Sequence, residues 1–178
     1  MSATGDELAG VVDLFGALTR TELSAALTEL AFKQNQTVDD DAVADAIDNA
    51  IAAYVLVAYE PESDEIATGS DEDDEPGSLL TVGPTAFPTL PPNAEDLPHI
   101  LDYERRTVDR DRLAEQVRER LAGETETVVA AGDSDRAAEL LDVSYDIEAW
   151  ADIETDEIRA SLPQDSETSP HRRRLALT

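Results

Sequence analysis

The chain has 178 residues, of which 41 are Asp or Glu and 13 are Lys or Arg, so that its formal net charge is −28. It has no Cys, which excludes a disulfide framework, thiolate chemistry and a cysteine-based zinc site. The 41% of apolar residues can form a core, but no apolar run approaches a membrane span and no signal peptide is evident. We therefore expect a cytoplasmic protein.

The acidity of the chain has two explanations. One is a cationic partner, or mimicry of a nucleic acid. The other is adaptation to a high-salt cytosol, where the Debye length of about 3 Å or less makes a large negative charge tolerable. Lys33 is the single lysine, and acidic residues occur along the whole chain. Because a partner-binding face gives no reason to lose lysine everywhere, this pattern favours the high-salt explanation.

Helical periodicity dominates the first 54 residues. Apolar residues at helical spacing predict a first helix over 6–18. Thr19 and Glu22 form the pattern of a capping box, which predicts the start of a second helix. A third helix is predicted to open in the acidic cluster 39–41, where carboxylates complement the positive end of the helix dipole.

The period then changes from helical to alternating. Residues 55–59 predict a β-strand, and residues 79–82 predict its antiparallel partner across an acidic, mobile loop at 60–78. Three helices followed by a strand, a loop and a returning strand is the order of a winged helix-turn-helix. We therefore predict a winged-helix-like domain over residues 5–83.

Prolines mark a connector over residues 84–98, predicted to be extended and to lie over the first domain with Phe87 and Leu90 as its apolar anchors. A helical region is predicted for 99–162, and a disordered tail for 163–178.

Local signals predict the helices of that second region. Asp109 begins one that Gly123 ends, and a short helix follows over 125–131. Ser134 and Thr155 are the predicted N-caps of two more.

Several stretches resemble an uncharacterised haloarchaeal domain family of acidic cytosolic proteins that would cover the chain up to about residue 150. This resemblance implies a salt-rich habitat but no activity. The stretches that carry it are GDELAGVVDLFGALT from Gly5, AFK from Ala31, FPTL from Phe87, DLPHILD from Asp96 and LDVSYD from Leu141.

A DNA-reading winged helix would need cations or amides on the outer face of its third helix. The outward positions predicted here carry no Arg or Lys, and the predicted wing is the most acidic part of the chain. Direct DNA binding by this face is therefore not expected. The outward positions are Asp41, Asp45, Asp48, Asn49 and Ala52.

Arginines and aromatic residues of the second region are the candidate binding residues. Arg105, Arg106 and Arg110 precede or begin a helix and could contact an anion, and Tyr103 and Trp150 are candidate aromatic contacts. The alternative is a solvated helix whose arginines pair with nearby carboxylates, as Glu115 could with Arg118 at i, i+3.

Signals for catalysis are weak. His99 lies between apolar neighbours, which favours a packing role over that of a base, and a zinc site is not expected with so few His and no Cys. The basic motif 171–174 resembles a phosphate-binding patch but is more typical of an incidental tail. No nucleotide-binding glycine motif or nucleophile elbow occurs, so we predict no catalytic residue, cofactor or metal.

Together these patterns predict an α+β, mainly α fold and a non-catalytic protein-interaction or regulatory module. The first alternative is a nucleic-acid-associated regulator that contacts phosphate through arginines. The second is an enzyme that uses His99.

Overall fold

The computed structural model describes residues 4–37, 39–61 and 78–163. Within these ranges the chain is mainly helical with a two-stranded antiparallel sheet, which confirms the predicted fold class. Nearly all of the predicted loop at 60–78 and tail at 163–178 lies outside the described residues. No helix in the described ranges is both long enough and apolar enough to cross a membrane. The elements are α1 (Gly5–Phe15), α2 (Arg20–Lys33), α3 (Asp40–Ala52), β1 (Leu56–Tyr59), β2 (Leu79–Val82), a 3₁₀ turn (Ala94–Asp96), α4 (Leu97–Ile100), α5 (Arg110–Ala131), α6 (Ser134–Trp150) and α7 (Asp156–Ser161).

Local hydrogen bonds set both ends of α1. The Thr4 amide donates to the Glu7 carboxylate at 2.8 Å, and the Glu7 amide donates to the Thr4 hydroxyl at 3.3 Å, which completes a capping box. The helix stops at Phe15, before the predicted end at residue 18. Gly16 takes a φ of 75°, a left-handed conformation that glycine adopts at little cost.

The starts of α2 and α3 confirm the sequence-based expectations. Thr19 and Glu22 form the predicted capping box, with the Thr19 amide 2.8 Å from Glu22 Oε2. The Asp39 carboxylate accepts hydrogen bonds from the amides of Asp41 and Ala42 and so begins α3 within the acidic cluster.

The two strands pair antiparallel as predicted, with Leu56 opposite Val82 and Tyr59 opposite Leu79. Three helices followed by a hairpin is therefore the observed order of the first half. β1 begins one residue later than predicted because Tyr54, at a φ of 60°, turns the chain out of α3. On the other side of β2, Leu18 and Leu80 exchange backbone hydrogen bonds of 3.0 and 2.7 Å, which ties the start of α2 to the sheet.

The Pro-rich connector lies against α1 through its backbone rather than through its predicted anchors. The Thr89 amide donates to the Asp6 carbonyl at 2.9 Å, and the carbonyl oxygen of Thr89 would lie 2.2 Å from a Cβ on Gly10. Phe87 is 79% exposed and Leu90 is 44% exposed, so the prediction that they are anchors was wrong. Later in the connector, Ala94 and Leu97 are buried in its short helical turns.

Helix α5 runs through Gly123 without a break, so the predicted end there and the separate short helix over 125–131 were wrong. Its buried face continues past the glycine with Thr125 and Val128, which pack in the same core. A glycine inside a helix costs about 1 kcal/mol, which the burial of Val128 in the core of α5, α6 and α7 offsets, because burying a valine side chain contributes about 1.5 to 3 kcal/mol. The helix ends at Gly132, whose φ is 69°.

Of the two N-caps predicted at Ser134 and Thr155, the first was wrong and the second is right in position but makes no capping bond. Asp133 rather than Ser134 caps α6, because its carboxylate accepts the Arg136 amide at 3.1 Å. Thr155 takes the N-cap position of α7, but its hydroxyl makes no capping bond there. It lies instead 2.8 Å from the Glu148 carboxylate and 3.1 Å from the Ser144 carbonyl, two acceptors that share its single proton.

Two buried clusters form the core, and the hairpin contributes to both. Leu56 and Leu80 face the cluster built by α1, α2 and α3, whereas Val57 and Tyr59 face the cluster built by α5, α6 and α7. Alternate side chains of a strand point to opposite faces, which explains the division. The hairpin thus joins the two halves, and the boundary between 5–83 and 99–162 stays a prediction.

Candidate functional site

The structure separates the five predicted binding residues into two groups. Tyr103, Arg105 and Arg106 lie against the end of α1, while Arg110 and Trp150 meet between α5 and α6.

Arg105 and Arg106 hold the C-terminal end of α1. The Arg105 guanidinium donates to the carbonyl oxygens of Asp13 and Leu14 at 3.1 and 3.0 Å, and the Arg106 amide donates to the Phe15 carbonyl at 2.8 Å. These are the carbonyls that a helix end leaves without an intrahelical partner. The two arginines therefore satisfy backbone groups inside the chain.

Arg106 also makes a two-pronged contact with Glu22, at 2.5 and 2.7 Å. Burial alone would raise the pKa of Glu22, but the hydrogen bonds from Arg106 and Thr19 outweigh it and hold the pKa below its usual value. Because Glu22 also completes the capping box of α2, one carboxylate joins the second half of the chain to the start of that helix.

Tyr103 packs on the first core. Its ring meets the Phe15 ring edge to face, with 5.8 Å between centroids. Together with Arg105 and Arg106 it forms an internal joint between the connector and α1.

Arg110 and Trp150 line a surface groove of about 280 Å³. Arg110 is the first residue of α5, which begins where the Asp109 carboxylate accepts the amides of Asp111 and Arg112. Trp150 is the last residue of α6. The Arg110 guanidinium lies 5.1 Å from the centroid of the Trp150 ring, a cation–π distance.

Arg110 differs from the other arginines in the described ranges, because its guanidinium makes no hydrogen bond or ion pair there. Each of the others donates to a carboxylate or to a backbone carbonyl. These are Arg20, Arg105, Arg106, Arg112, Arg118, Arg120, Arg136 and Arg159.

The rest of the groove combines apolar and acidic groups. Ala114, Ala151 and Ile153 line it beside the Trp150 ring. Asp111, Glu115 and Asp152 also line it, and they are exposed and outside every ion pair of the described chain. The groove therefore offers an apolar surface, one guanidinium and three carboxylates to a binding partner.

The predicted ion pair between Glu115 and Arg118 was wrong. Arg118 Nε donates instead to the Glu154 carbonyl at 3.1 Å, and Arg112 Nε donates to the Glu60 carbonyl at 3.0 Å. Both arginines tie α5 to neighbouring segments, since a carbonyl at a chain bend has no helical partner of its own.

Residues 6–167 match the model of DUF7109, a family of unknown function. The chain belongs to this family. No curated protein and no solved structure matches the chain. The DUF7109 match spans both cores and extends beyond α7, whereas the basic motif 171–174 lies outside both the match and the described residues.

The apolar neighbours of His99 predict a packing role for it, but the structure does not place it in a core. It is exposed on α4 and makes no hydrogen bond within the described ranges. Those ranges also contain no group of three or more His, Asp or Glu side chains arranged to hold a metal ion.

A cluster at the end of α3 was missed by the sequence analysis. Arg120 donates to the Ile51 carbonyl and Arg136 to the Ala52 carbonyl, both at 2.7 Å, and both arginines pair with Glu124. The i, i+4 spacing of Arg120 and Glu124 indicated their pairing. No sequence signal pointed to the carbonyls, because helix α3 is far away along the chain.

A second missed cluster is centred on Glu148 in the DUF7109 region. Its carboxylate accepts hydrogen bonds from the Thr155 amide at 2.9 Å, the Thr155 hydroxyl at 2.8 Å and Arg159 at 2.7 Å. These hydrogen bonds lower the pKa of Glu148 to about 2, and the bond from the Thr155 amide has the largest effect. Arg159 also stacks on the Tyr145 ring, 4.1 Å from its centroid.

Proposed function

We propose that this chain is a non-catalytic protein-interaction module, and that the groove of Arg110 and Trp150 is its contact surface. The observation that carries the proposal is the Arg110 guanidinium, which lies over the Trp150 ring and makes no hydrogen bond or ion pair within the described ranges. Trp and Arg are the residues most enriched among energetic hot spots of protein interfaces. The chain has 41 Asp and Glu side chains, and none of those that the structure describes accepts a hydrogen bond from Arg110, so this arginine is available to an acceptor supplied by a partner.

The other predicted binding residues support this choice of surface. The guanidinium of Arg105 donates to carbonyls of α1, and that of Arg106 donates to Glu22. A phosphate bound there would compete with these intramolecular hydrogen bonds. The same contacts make the nucleic-acid alternative less favourable. Asp41, Asp45 and Asp48 are exposed on α3, which also weighs against DNA on the face that a winged helix would use.

We also propose that the protein works in a salt-rich cytosol, and that its first half is a winged-helix-like scaffold. The proposal for the environment rests on the net charge of −28 and the single lysine. The proposal for the scaffold rests on the order of three helices and a hairpin. The enzyme alternative keeps only His99, which is exposed and makes no hydrogen bond within the described ranges.

The proposal is tested by affinity purification of the tagged full chain in molar KCl, followed by binding measurements with the purified partner. We expect one stoichiometric protein partner, and a loss of affinity of about tenfold or more for Arg110→Ala, because hot-spot arginines contribute about 2 kcal/mol. The Arg110 side chain makes no hydrogen bond in the described chain, so its removal should leave the fold intact.

Arg20→Ala is the matched control. Arg20 is also an exposed arginine at the first position of a helix, but it pairs with Asp48 at 2.6 Å. The Arg20→Ala variant should bind the partner with the same affinity as the wild type. Equal capture by wild type and Arg110→Ala, or recovery of nucleic acid alone, would contradict the proposal.

A further inference from the structure

The acidic rim of the groove indicates the chemistry of its occupant. Three exposed carboxylates, Asp111, Glu115 and Asp152, line the same groove as the apolar side chains of Trp150 and Ile153. Arg110 offsets one of these charges, so the groove has a net negative charge. A segment that carries cations next to apolar side chains would match it, because each of the three carboxylates would then find an opposite charge at contact distance.

The chain itself contains such a segment. Residues 171–177 read His-Arg-Arg-Arg-Leu-Ala-Leu, with three arginines next to two leucines and no acidic residue. These residues lie outside the described ranges, and their sequence supplies the complementarity: cations for the rim and leucines for the apolar surface.

The position of α7 brings this segment within reach. Helix α7 packs against α5 and α6, the two helices that form the groove, and the described chain continues to residue 163. Eight residues separate Pro163 from Arg172, and an extended chain of that length spans about 27 Å. The whole of α5, with 22 residues, is about 33 Å long. Attachment on such a linker gives an effective concentration on the millimolar scale, so that even a weak contact is populated.

We propose that residues 171–177 dock in cis into the groove of Arg110 and Trp150 and thereby compete with the partner protein. The competition rests on the proposed function, whereas the docking does not. At molar salt only contacts within about 3 Å escape screening. The leucines on Trp150 and Ile153 therefore stabilise the docked state, and the arginines at the rim select its position.

Trp150 is the only tryptophan of the chain, so its fluorescence reports on the groove directly. The test compares the full chain with its Arg172→Ser, Arg173→Ser, Arg174→Ser variant and with a Leu175→Ser, Leu177→Ser variant. Docking predicts that both variants show a red-shifted emission and stronger quenching by acrylamide than the wild type. A synthetic peptide of residues 164–178, added in excess, should restore the wild-type signal.

Substitutions in the groove provide the second arm of the test. Asp111→Asn with Asp152→Asn should produce the same fluorescence change as the arginine variant, and combining the two sets should add nothing further. Glu126→Gln, an exposed carboxylate elsewhere on α5, is the matched control and should behave as the wild type.

Two outcomes would overturn the docking proposal. One is identical emission and quenching in the wild type and both tail variants. The other is a difference that vanishes on dilution, which would show that the tail binds a second copy. Neither outcome affects the test of the proposed function, which measures partner binding by Arg110→Ala. Tighter partner binding by the tail variants would support the competition.

Discussion

At the scale of single residues, three of the nine arginines in the described chain donate to the C-terminal ends of helices. Arg105 contacts the last carbonyls of α1, and Arg120 and Arg136 contact those of α3. A guanidinium can satisfy several acceptors at once and favours the negative end of the helix dipole. The arginines that the sequence offered as binding residues are therefore largely used by the fold, with Arg110 as the exception.

Glu148 gives a prediction about pH. The pKa of its carboxylate in the folded chain, about 2, lies below the ordinary value of 4.5. Its contribution to the free energy of unfolding should therefore be complete above pH 4.5 and should be lost as the pH falls toward 2. Glu148→Gln removes this contribution, so the difference in stability between wild type and variant should shrink over that interval. Urea denaturation at stepped pH measures it.

Glu157→Gln is the control for that experiment. Glu157 lies at the start of α7, and its side chain accepts no hydrogen bond within the described ranges. The difference in the free energy of unfolding between Glu157→Gln and the wild type should therefore not shrink between pH 4.5 and pH 2. A constant difference for Glu148→Gln as well would show that the hydrogen bonds do not favour the ionised form.

At the scale of elements, the starts of α2 and α3 were predicted, whereas the end of α1 and the continuity of α5 were not. The Thr19 and Glu22 capping box is a local signal that needs no other part of the chain, and it was predicted correctly. Gly123 was misread as a helix end because its propensity is local, while the packing that carries α5 beyond it comes from another helix, α6. Tertiary burial exceeds a propensity cost of about 1 kcal/mol.

Two glycines offer a matched pair of substitutions. A Cβ on Gly123 would meet nothing within 4 Å, whereas a Cβ on Gly10 would lie 2.2 Å from the Thr89 carbonyl oxygen. Gly123→Ala should therefore raise the free energy of unfolding by about 0.5 to 1 kcal/mol, because alanine restricts the unfolded chain and favours the helix. Gly10→Ala should lower it, since the connector must move away from α1. Thermal and urea denaturation of both variants check the signs, and a destabilising Gly123→Ala would indicate a break in α5 there.

At the scale of the whole molecule, self-repulsion follows from the net charge of −28. Between about 0.1 M and 1 M salt the Debye length falls from about 10 Å to about 3 Å. We therefore expect the urea midpoint of unfolding to rise with KCl over this range.

Asp45→Asn isolates the charge effect on α3. Asp45 is exposed, lies four residues after Asp41 and forms no ion pair in the described chain, so it adds like-charge repulsion at i, i+4. The variant should be more stable than the wild type at low KCl and equal to it at high KCl. A midpoint that is flat or falling in KCl, or a variant difference that does not depend on salt, would contradict adaptation by charge.

The candidate site illustrates the limit of prediction from sequence. Arg110 and Trp150 were both predicted as binding residues, but 40 positions separate them along the chain, and their meeting depends on how α5 packs on α6. Tyr103, Arg105 and Arg106 were predicted with equal weight, and only the structure places them against α1. Solvent-facing and inward-facing arginines have the same residue type, so sequence cannot separate them.

The sequence by itself determined the features that depend on neighbours within a few residues: the α+β class, the starts of α2 and α3, the alternating strands and the sign of the surface. Only the tertiary structure decided the partners of the arginines, such as the contact of Arg105 with Asp13, 92 residues away. It also decided that one hairpin contributes to both cores and that Arg110 stacks on Trp150 without a hydrogen bond or ion pair in the described part of the chain. Local interactions are encoded in adjacent residues, whereas a guanidinium finds its acceptor only after distant segments have packed together.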